Sequence, residues 1–141
     1  MQLTKYSDYS LRVLIYVALR RTGELSQIDM ICEAYNISKN HLVKVVHGLG
    51  QLGYLETVRG KNGGVRLALD PSDIRIGDLI RQTEATLSSF DCEHPPCAIV
   101  RVCRLRGVFA EAMKAYLDVL DKYTLADMVR RPGSLRDILI S

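Results

Sequence analysis

Residues 37–69, ISKNHLVKVVHGLGQLGYLETVRGKNGGVRLAL, decide the fold of this chain. The first half follows Ser38, a favourable helix N-cap, and has apolar residues at helical spacing: Leu42, Val45, Val46 and Leu49. In the second half, alternation of apolar and polar residues predicts strands over residues 54–58 and 65–69. RGKNGG lies between them and offers an Asn-Gly turn and flexible glycines, so a β-hairpin directly follows the helix.

A second short helix is predicted just before this stretch. Ser26 is the expected N-cap of a helix over residues 27–34, with Cys32 facing inward as a small core hydrophobe. Residues 35–37 form a tight connection to the next helix, which is typical of a helix-turn-helix. A first helix is expected from Ser7 or Asp8 to about residue 21. The sequence therefore predicts a mainly α fold with a small β-hairpin wing, a winged helix-turn-helix domain over residues 1–83.

The second half of the chain predicts a helix near 76–83, a cysteine-bearing loop over 84–103 and a segment over 104–141. That segment holds a long helix and a short final helix, with Thr124 and Asp127 as a capping box. The long helix has one broad apolar face: Leu105, Val108, Phe109, Ala112, Met113, Tyr116 and Leu120. So short a chain has little material left to cover it, so we predict a homodimer interface. Packing against the first helix is the alternative, and the two are compatible.

Positive charge is concentrated in the helix and wing. The net charge is only +3, but residues 36–66 hold five basic side chains and one acid, whereas residues 71–141 hold ten of each. A recognition helix reads base edges mostly through its first turns, and a wing arginine suits a narrow minor groove. The candidate DNA-binding residues are Ser26 and Gln27 (phosphate), Ser38, Lys39, Asn40, His41 and Lys44 (recognition helix), and Arg59, Lys61, Asn62, Gly63 and Gly64 (wing).

Each of these residues also has an ordinary interpretation. Ser38 can serve only as a cap, and Lys39 only as a solvated cation. His41 and His47 lie on different faces of the helix, so they are not expected to bind a metal together. The whole assembly, rather than any one residue, favours double-stranded DNA as a partner.

Three of the four cysteines form a cluster, Cys92-x4-Cys97-x5-Cys103. In a reducing compartment such spacing favours metal or redox chemistry over structural disulfides. Three thiolates on one loop suit an iron–sulfur cluster that takes a different fourth ligand. A zinc site and a thiol-based redox switch are alternatives, although the C-x2-C pairs common in zinc sites are absent.

Other classes of protein are disfavoured. The apolar run near the start is short and interrupted by Arg12, and it lacks the marks of a signal peptide, so a cytoplasmic protein without a membrane span is expected. The sequence shows no nucleophile–base pattern, phosphate-binding loop or paired acids of the kind that indicate an enzyme.

These motifs together resemble the family of winged-helix iron–sulfur repressors, over nearly the whole chain. The matching segments are MQLT (1–4), DYSLRVLIY (8–16), ISKNHLVKVV (37–46), RGKNGGVRL (59–67), IRIGDLIR (74–81), the three cysteines, CRL (103–105) and YTLADMV (123–129). The resemblance implies a homodimeric repressor whose cluster is held by Cys92, Cys97 and Cys103. The wing and cysteine motifs in combination make it specific.

Within that family the chain is most similar to the nitric-oxide-sensitive members. Members that sense cluster supply use a histidine three residues after the third cysteine, where this chain has Arg106. The nitric-oxide-sensitive members can use an aspartate near the N-terminus from the other subunit, which matches Asp8; His94 is a lesser candidate. The resemblance implies a 4Fe-4S cluster that nitric oxide attacks, releasing the operators of nitric-oxide detoxification genes. A 2Fe-2S repressor sensing cluster supply or redox state, and a metal-binding redox protein, are the alternatives.

Overall fold

The computed structural model of the chain describes residues 1–140; Ser141, the last residue of the predicted C-terminal segment, lies outside them. The helices are α1 (Lys5–Ala18), α2 (Ile28–Tyr35), α3 (Lys39–Gln51), α4 (Ile76–Thr83), α5 (Leu105–Leu120), α6 (Leu125–Met128) and α7 (Pro132–Leu139). The strands are β1 (Leu55–Val58) and β2 (Gly64–Leu67), and a 3-10 turn covers Pro71–Asp73. None of the helices in this described part is long and apolar enough to cross a bilayer. The predicted winged-helix fold is confirmed.

The helix-turn-helix is formed by α2 and α3. Asn36 ends α2 in the left-handed conformation with φ 53°, and its backbone N–H donates to Glu33. Because asparagine tolerates this conformation, the chain reverses within three residues and α3 begins directly after Ser38. Ser38 is the N-cap residue, as predicted, but its side chain makes no capping hydrogen bond.

Two helix starts differ from the prediction. Thr4 caps α1, because its hydroxyl accepts a hydrogen bond from the N–H of Ser7 at 3.3 Å, so neither Ser7 nor Asp8 has that role. Gln27, not Ser26, is the N-cap residue of α2. Ser26 lies outside the helix because its backbone pairs with Val65 of the wing, a long-range contact that helix propensity does not reveal.

The core lies between α1, α3 and α4. All four apolar residues predicted for α3 are buried, and they share the core with α1 residues Val13, Leu14, Tyr16 and Val17 and with Leu79 of α4. Leu125 of α6 is fully buried in the same core. Arg136 of α7 donates to the carbonyl of Leu19 at 2.9 Å. Residues after α5 therefore pack back onto the winged helix.

The long helix α5 is held differently. None of its residues, all of which the structure describes, is buried, and α4 is the element with which it shares most contacts. Arg81 of α4 makes two hydrogen bonds, 2.6 and 2.8 Å long, to the carboxylate of Asp121 just after α5. Gly77 permits this approach, because a Cβ there would overlap the Asp121 carboxylate. The C-terminal end of α5 is thus anchored to α4.

Candidate DNA-binding surface and cysteine loop

The first turns of α3 form an exposed polar surface. Ser38, Lys39, Asn40, His41 and Lys44 are all exposed. The buried residues lie on the side of the helix opposite Asn40 and Lys44, so these two face away from the core. Hydrogen-bond donors and acceptors are therefore exposed around the first turns of α3, where base-edge recognition takes place.

Two contacts constrain that surface, and sequence reasoning missed both. Lys39 Nζ lies 2.8 Å from Asp29 Oδ1 at the start of α2, and this hydrogen bond raises the pKa of Lys39. The ring of Tyr9 on α1 packs against the ring of His41, with centroids 6.0 Å apart. Each pair joins different helices, so no local spacing signals it. They orient the first turn of α3 relative to its neighbours.

The wing places its cations at the tip of the hairpin. The turn runs from Gly60 to Gly63, closed by a 3.0 Å hydrogen bond from the Gly63 N–H to the Gly60 carbonyl. Lys61 and Asn62 are therefore the central turn residues, rather than the predicted Asn-Gly pair. Arg59, Lys61 and Asn62 are exposed, and within residues 1–140 neither cation makes an ion pair. Both positive charges at the tip are available to a polyanion.

The wing glycines have an internal role. A Cβ at Gly63 would overlap the carbonyl of Val58, and one at Gly64 would lie 2.7 Å from the carbonyl of Ser26. These residues therefore close the hairpin and seat it against the segment before α2. Gly63 and Gly64 remain candidate DNA-binding residues, but the packing of the wing gives a sufficient reason for glycine at both positions without DNA.

Ser26 cannot contact a phosphate, which corrects the prediction. Its relative exposure is 0%, and its backbone N–H donates to the carbonyl of Val65 at 2.8 Å. The reciprocal bond from Val65 N–H to Ser26 O is also 2.8 Å. Both backbone groups are used in tying the wing to the helix-turn-helix. Gln27, the next residue, is exposed and remains a candidate phosphate contact.

The cysteine loop is tied by backbone hydrogen bonds. Glu93 and Pro96 pair as an antiparallel bridge, and the N–H of Cys97 donates to the carbonyl of Cys92 at 3.0 Å. Turns of helical type then lead to Cys103, whose N–H donates to Ile99 at 2.8 Å. Asp91 accepts from the N–H groups of Glu93 and His94, which lowers its pKa. The loop has a definite backbone path although it is exposed.

The thiol groups suit a thiolate-bound group in chemistry but are not gathered at one point. Cys92, Cys97 and Cys103 are all free, Cys97 is exposed and the other two are half-buried. In residues 1–140, no three His, Cys, Asp or Glu side chains converge as an ion site. A bound group would therefore have to draw the thiols together. Arg101, Arg104 and Arg106 are exposed beside them and would offset thiolate charge.

The candidate fourth ligands lie apart from one another. Asp8 occupies the first turn of α1 and accepts a 2.8 Å hydrogen bond from Arg12 through Oδ1. That bond raises the pKa of Arg12, whose guanidinium lies over the Tyr35 ring. His94 is exposed in the cysteine loop, with Nδ1 3.5 Å from Asp91 Oδ1. Cys32 packs against the core, and burial raises the pKa of its thiol.

The predicted interface residues of α5 are accessible in the single chain. Leu105, Val108, Phe109 and Ala112 are exposed, whereas Met113, Tyr116 and Leu120 are half-buried. A groove of about 850 Å³ lies along this face and is also lined by residues 1–3, Glu84 and residues 86–89. Phe109 also packs edge-to-face on Phe90, at 4.8 Å between centroids, and these are the only phenylalanines in the chain. This pair, which sequence reasoning missed, ties the start of the cysteine loop to α5.

The fold and the exposed surface define a winged-helix DNA-binding regulator. The family model of Rrf2, described as iron-dependent transcriptional regulators, matches residues 3–131. The chain therefore belongs to the Rrf2 family, which confirms the family resemblance of the motifs. It is a transcriptional regulator and not an enzyme.

Curated relatives and solved structures agree with this membership. The chain is 54% identical to the HTH-type transcriptional regulator NsrR of Bacillus subtilis (strain 168), over 99% of this chain and 97% of that one. It is 48% identical to NsrR of Shouchella clausii, over 99% and 95%. The structure of IscR from T. potens matches with a TM-score of 0.75 at 27% identity, over 92% and 87%. CymR, the global cysteine regulator of B. subtilis, matches in fold with a TM-score of 0.76 at 24% identity, over 92% and 97%.

Proposed function

We propose that this chain is a homodimeric repressor that releases its operator when nitric oxide reacts with an iron–sulfur cluster held by its cysteine loop. The observation that carries the proposal is the presence of three free, accessible thiols, Cys92, Cys97 and Cys103, on one ordered loop. The 54% identity to a regulator named NsrR over almost the full length supports the nitric-oxide signal. The cluster is proposed to be of the 4Fe-4S type.

DNA binding rests on two exposed elements. The first turns of α3 would enter the major groove, where Asn40, His41 and Lys44 reach base edges or phosphates. Arg59 and Lys61 at the wing tip would contact the backbone or the adjacent minor groove. The backbone bridge between Ser26 and Val65 ties the wing to the segment before α2. The wing and the helix-turn-helix would therefore meet DNA together.

Dimerisation rests on α5. A 16-residue helix with exposed Leu105, Val108 and Phe109 leaves an apolar stripe in water, which is costly for a single chain. Two such stripes in an isologous pair would bury each other. The distance between the two recognition helices would then follow from the anchoring of α5 by Arg81 and Asp121. Half-site spacing on DNA is set by such geometry.

The cysteine loop would hold the cluster, with Asp8 of the other subunit as fourth ligand. When bound, the cluster supplies iron that reacts with nitric oxide. The residues of this chain have separate roles: three thiolates bind, Arg101, Arg104 and Arg106 offset their charge, and Arg12 holds the Asp8 carboxylate by Oδ1. A carboxylate oxygen is a harder donor than sulfur, so iron bound by Asp8 would be more open to a small molecule than iron bound by a thiolate.

An anaerobic absorption titration with nitric oxide tests the proposal. We expect a broad visible band that bleaches in proportion to added nitric oxide, together with loss of a gel shift on the upstream promoter. Cys92→Ser, Cys97→Ser and Cys103→Ser should each lack the band, whereas Cys32→Ser, the matched control, should retain it. A chain that stays colourless after anaerobic reconstitution would refute the cluster, and one with the band but an unchanged gel shift would refute the signal.

The wing is tested separately by salt dependence. Arg59→Ala should weaken operator binding. It should also reduce the slope of log binding constant against log salt concentration by about one unit, because one phosphate contact is lost. Lys122→Ala, which removes an exposed cation from the turn after α5, is the matched control and should leave both quantities unchanged. Equal effects of the two variants would show that only net charge matters.

A further inference from the structure

We propose that, in the cluster-free chain, Cys92 and Cys97 are a disulfide-forming pair that reacts with low-molecular-weight disulfides. This adds a modification site to the cysteine loop. Its regulatory consequence, a cluster-free state closed to reloading until it is reduced, rests on the proposed function. The disulfide itself does not, because it follows from the backbone of the loop alone.

The backbone places these two cysteines opposite each other. Glu93 and Pro96 form an antiparallel bridge, so the residues immediately outside them, Cys92 and Cys97, are the next opposed pair. The 3.0 Å hydrogen bond from the Cys97 N–H to the Cys92 carbonyl shows that the two chain segments remain paired there. Side chains of directly opposed residues project to the same side of the ladder.

The separation expected for such a pair falls within the disulfide range. Opposed residues in a hydrogen-bonded antiparallel pair have Cα atoms about 5.5 Å apart. Disulfides span Cα separations of about 4.4 to 6.8 Å. Cys97 is exposed and Cys92 is half-buried, so an incoming disulfide reaches Cys97 first and Cys92 can complete the reaction.

Of the two other pairs in the loop, the one that would compete for Cys97, Cys97 with Cys103, is excluded by the turns that separate these residues. Val100 donates to the Cys97 carbonyl, and Cys103 donates to that of Ile99, so residues 97–103 follow turns of helical type. At about 1.5 to 2.0 Å of rise per residue, six residues separate Cys97 from Cys103 by roughly 9 to 12 Å. That exceeds the limit of about 7 Å for a disulfide without backbone movement. The geometry therefore selects Cys92 as the partner of Cys97.

The reaction balances with a single disulfide as oxidant. The Cys97 thiolate attacks one sulfur of oxidised glutathione, forming a mixed disulfide and releasing one glutathione thiolate. The Cys92 thiolate then attacks Sγ of Cys97 and displaces the second glutathione thiolate. Two protein thiols are oxidised, one glutathione disulfide is reduced to two thiols, and the two protons pass to the released thiolates.

Tryptic mapping of the oxidised, cluster-free full-length chain tests the assignment. Cleavage after Arg81 and Arg101 leaves Cys92 and Cys97 together in peptide 82–101, whereas Cys103 falls in peptide 102–104. After treatment with oxidised glutathione and then with an alkylating agent, peptide 82–101 should be lighter by two hydrogen atoms and carry no alkyl group. Cys32 and Cys103 should remain free thiols. A crosslink between the two peptides, or glutathione retained on Cys97, would overturn the proposal.

Matched variants give a rate comparison. Cys103→Ser should form the disulfide as the parent does. Cys92→Ser should stop at the glutathione adduct of Cys97, with closure of any disulfide slower by a factor on the order of ten or more, because the opposed thiol is gone. Equal closure rates in both variants would contradict the pairing.

The test separates this inference from the proposed function. Oxidised and re-reduced samples are each offered iron and sulfide anaerobically, and the visible band is measured. A disulfide without any band after reduction would sustain the inference and refute the cluster. A visible band without any disulfide would sustain the cluster and refute the inference.

Discussion

The winged helix (residues 1–83) and the segment formed by the cysteine loop and α5 (residues 84–120) are stabilised in different ways. In α1, six residues are buried, and in α3 four are, whereas the 16 residues of α5, all of them described, include none. The winged helix is built around a buried core, which Leu125 of α6 joins. The cysteine loop and α5 are held by a few specific contacts: Arg81 to Asp121, Phe90 to Phe109, and the backbone bonds of the loop. We therefore expect the cysteine loop and α5 to shift more easily than the winged helix.

The largest expected effect is a core truncation in α3. Leu49 is 0% exposed, so Leu49→Ala should lower the free energy of unfolding by about 2 to 5 kcal/mol, through lost burial and a residual cavity. Urea unfolding followed by circular dichroism measures it. Ile138→Ala on α7 is the matched control, because Ile138 is 73% exposed and lies outside the predicted interface, and it should change the free energy of unfolding by less than about 0.5 kcal/mol. Comparable losses would show that burial does not decide the cost of the truncation.

The next largest effect is expected where α4 contacts the C-terminal end of α5. Gly77→Ala would push a methyl group into the Asp121 carboxylate, at a cost of about 1 to 3 kcal/mol, and release the end of α5. The midpoint temperature of thermal unfolding and the affinity for the operator should both fall. Gly107→Ala on α5 is the control: a Cβ there meets nothing within 4 Å, so the helix should gain about 0.5 to 1 kcal/mol. If both variants stabilise the protein, the junction is not close-packed.

A smaller effect is expected at a buried hydroxyl pair. Ser7 and Thr83 join α1 to α4 through a 2.7 Å hydrogen bond, and Thr83 also donates to the Leu79 carbonyl. Ser7→Ala should cost about 1 kcal/mol because it removes this bond. Combining it with Thr83→Val should cost less than the sum of the two single changes, because the bond can be lost only once. Strict additivity of the two unfolding free energies would show that the hydroxyls act independently.

The smallest effect is a pH dependence at the end of α4. Partial burial would raise the pKa of Glu84, but the hydrogen bonds that Glu84 accepts from the N–H and hydroxyl of Thr4 outweigh it and lower the pKa. Because the folded-state pKa lies below the unfolded one, the stabilisation is present above the unfolded pKa and is lost as pH falls through the folded pKa. As the pH becomes acidic, the free energy of unfolding of the parent protein should therefore fall relative to that of the Glu84→Gln variant. Parallel profiles for the two proteins would remove this role.

Local signals predicted the elements but not all their neighbours. Helix α4 falls on the predicted residues, and the capping box of Thr124 and Asp127 is present, because both depend on residues a few positions apart. The buried face of α3 likewise follows from its spacing. The caps of α1 and α2 were wrong, and α7 was not predicted. Thr4 is held by Glu84 and Ser26 by Val65, and such distant partners leave no local pattern.

For the candidate sites, the sequence identified the chemistry and the tertiary structure decided availability. The cations of α3 and the wing and the three thiols were recognisable by residue type and spacing, whereas Asp8 was singled out only by the resemblance to the family. The tertiary structure showed that Ser26 is buried, that Lys39 is paired with Asp29, and that the thiols share a loop without converging. Residue type and periodicity are properties of neighbouring positions. Burial, pairing and convergence depend on contacts between positions far apart in the chain, which only the folded backbone brings together.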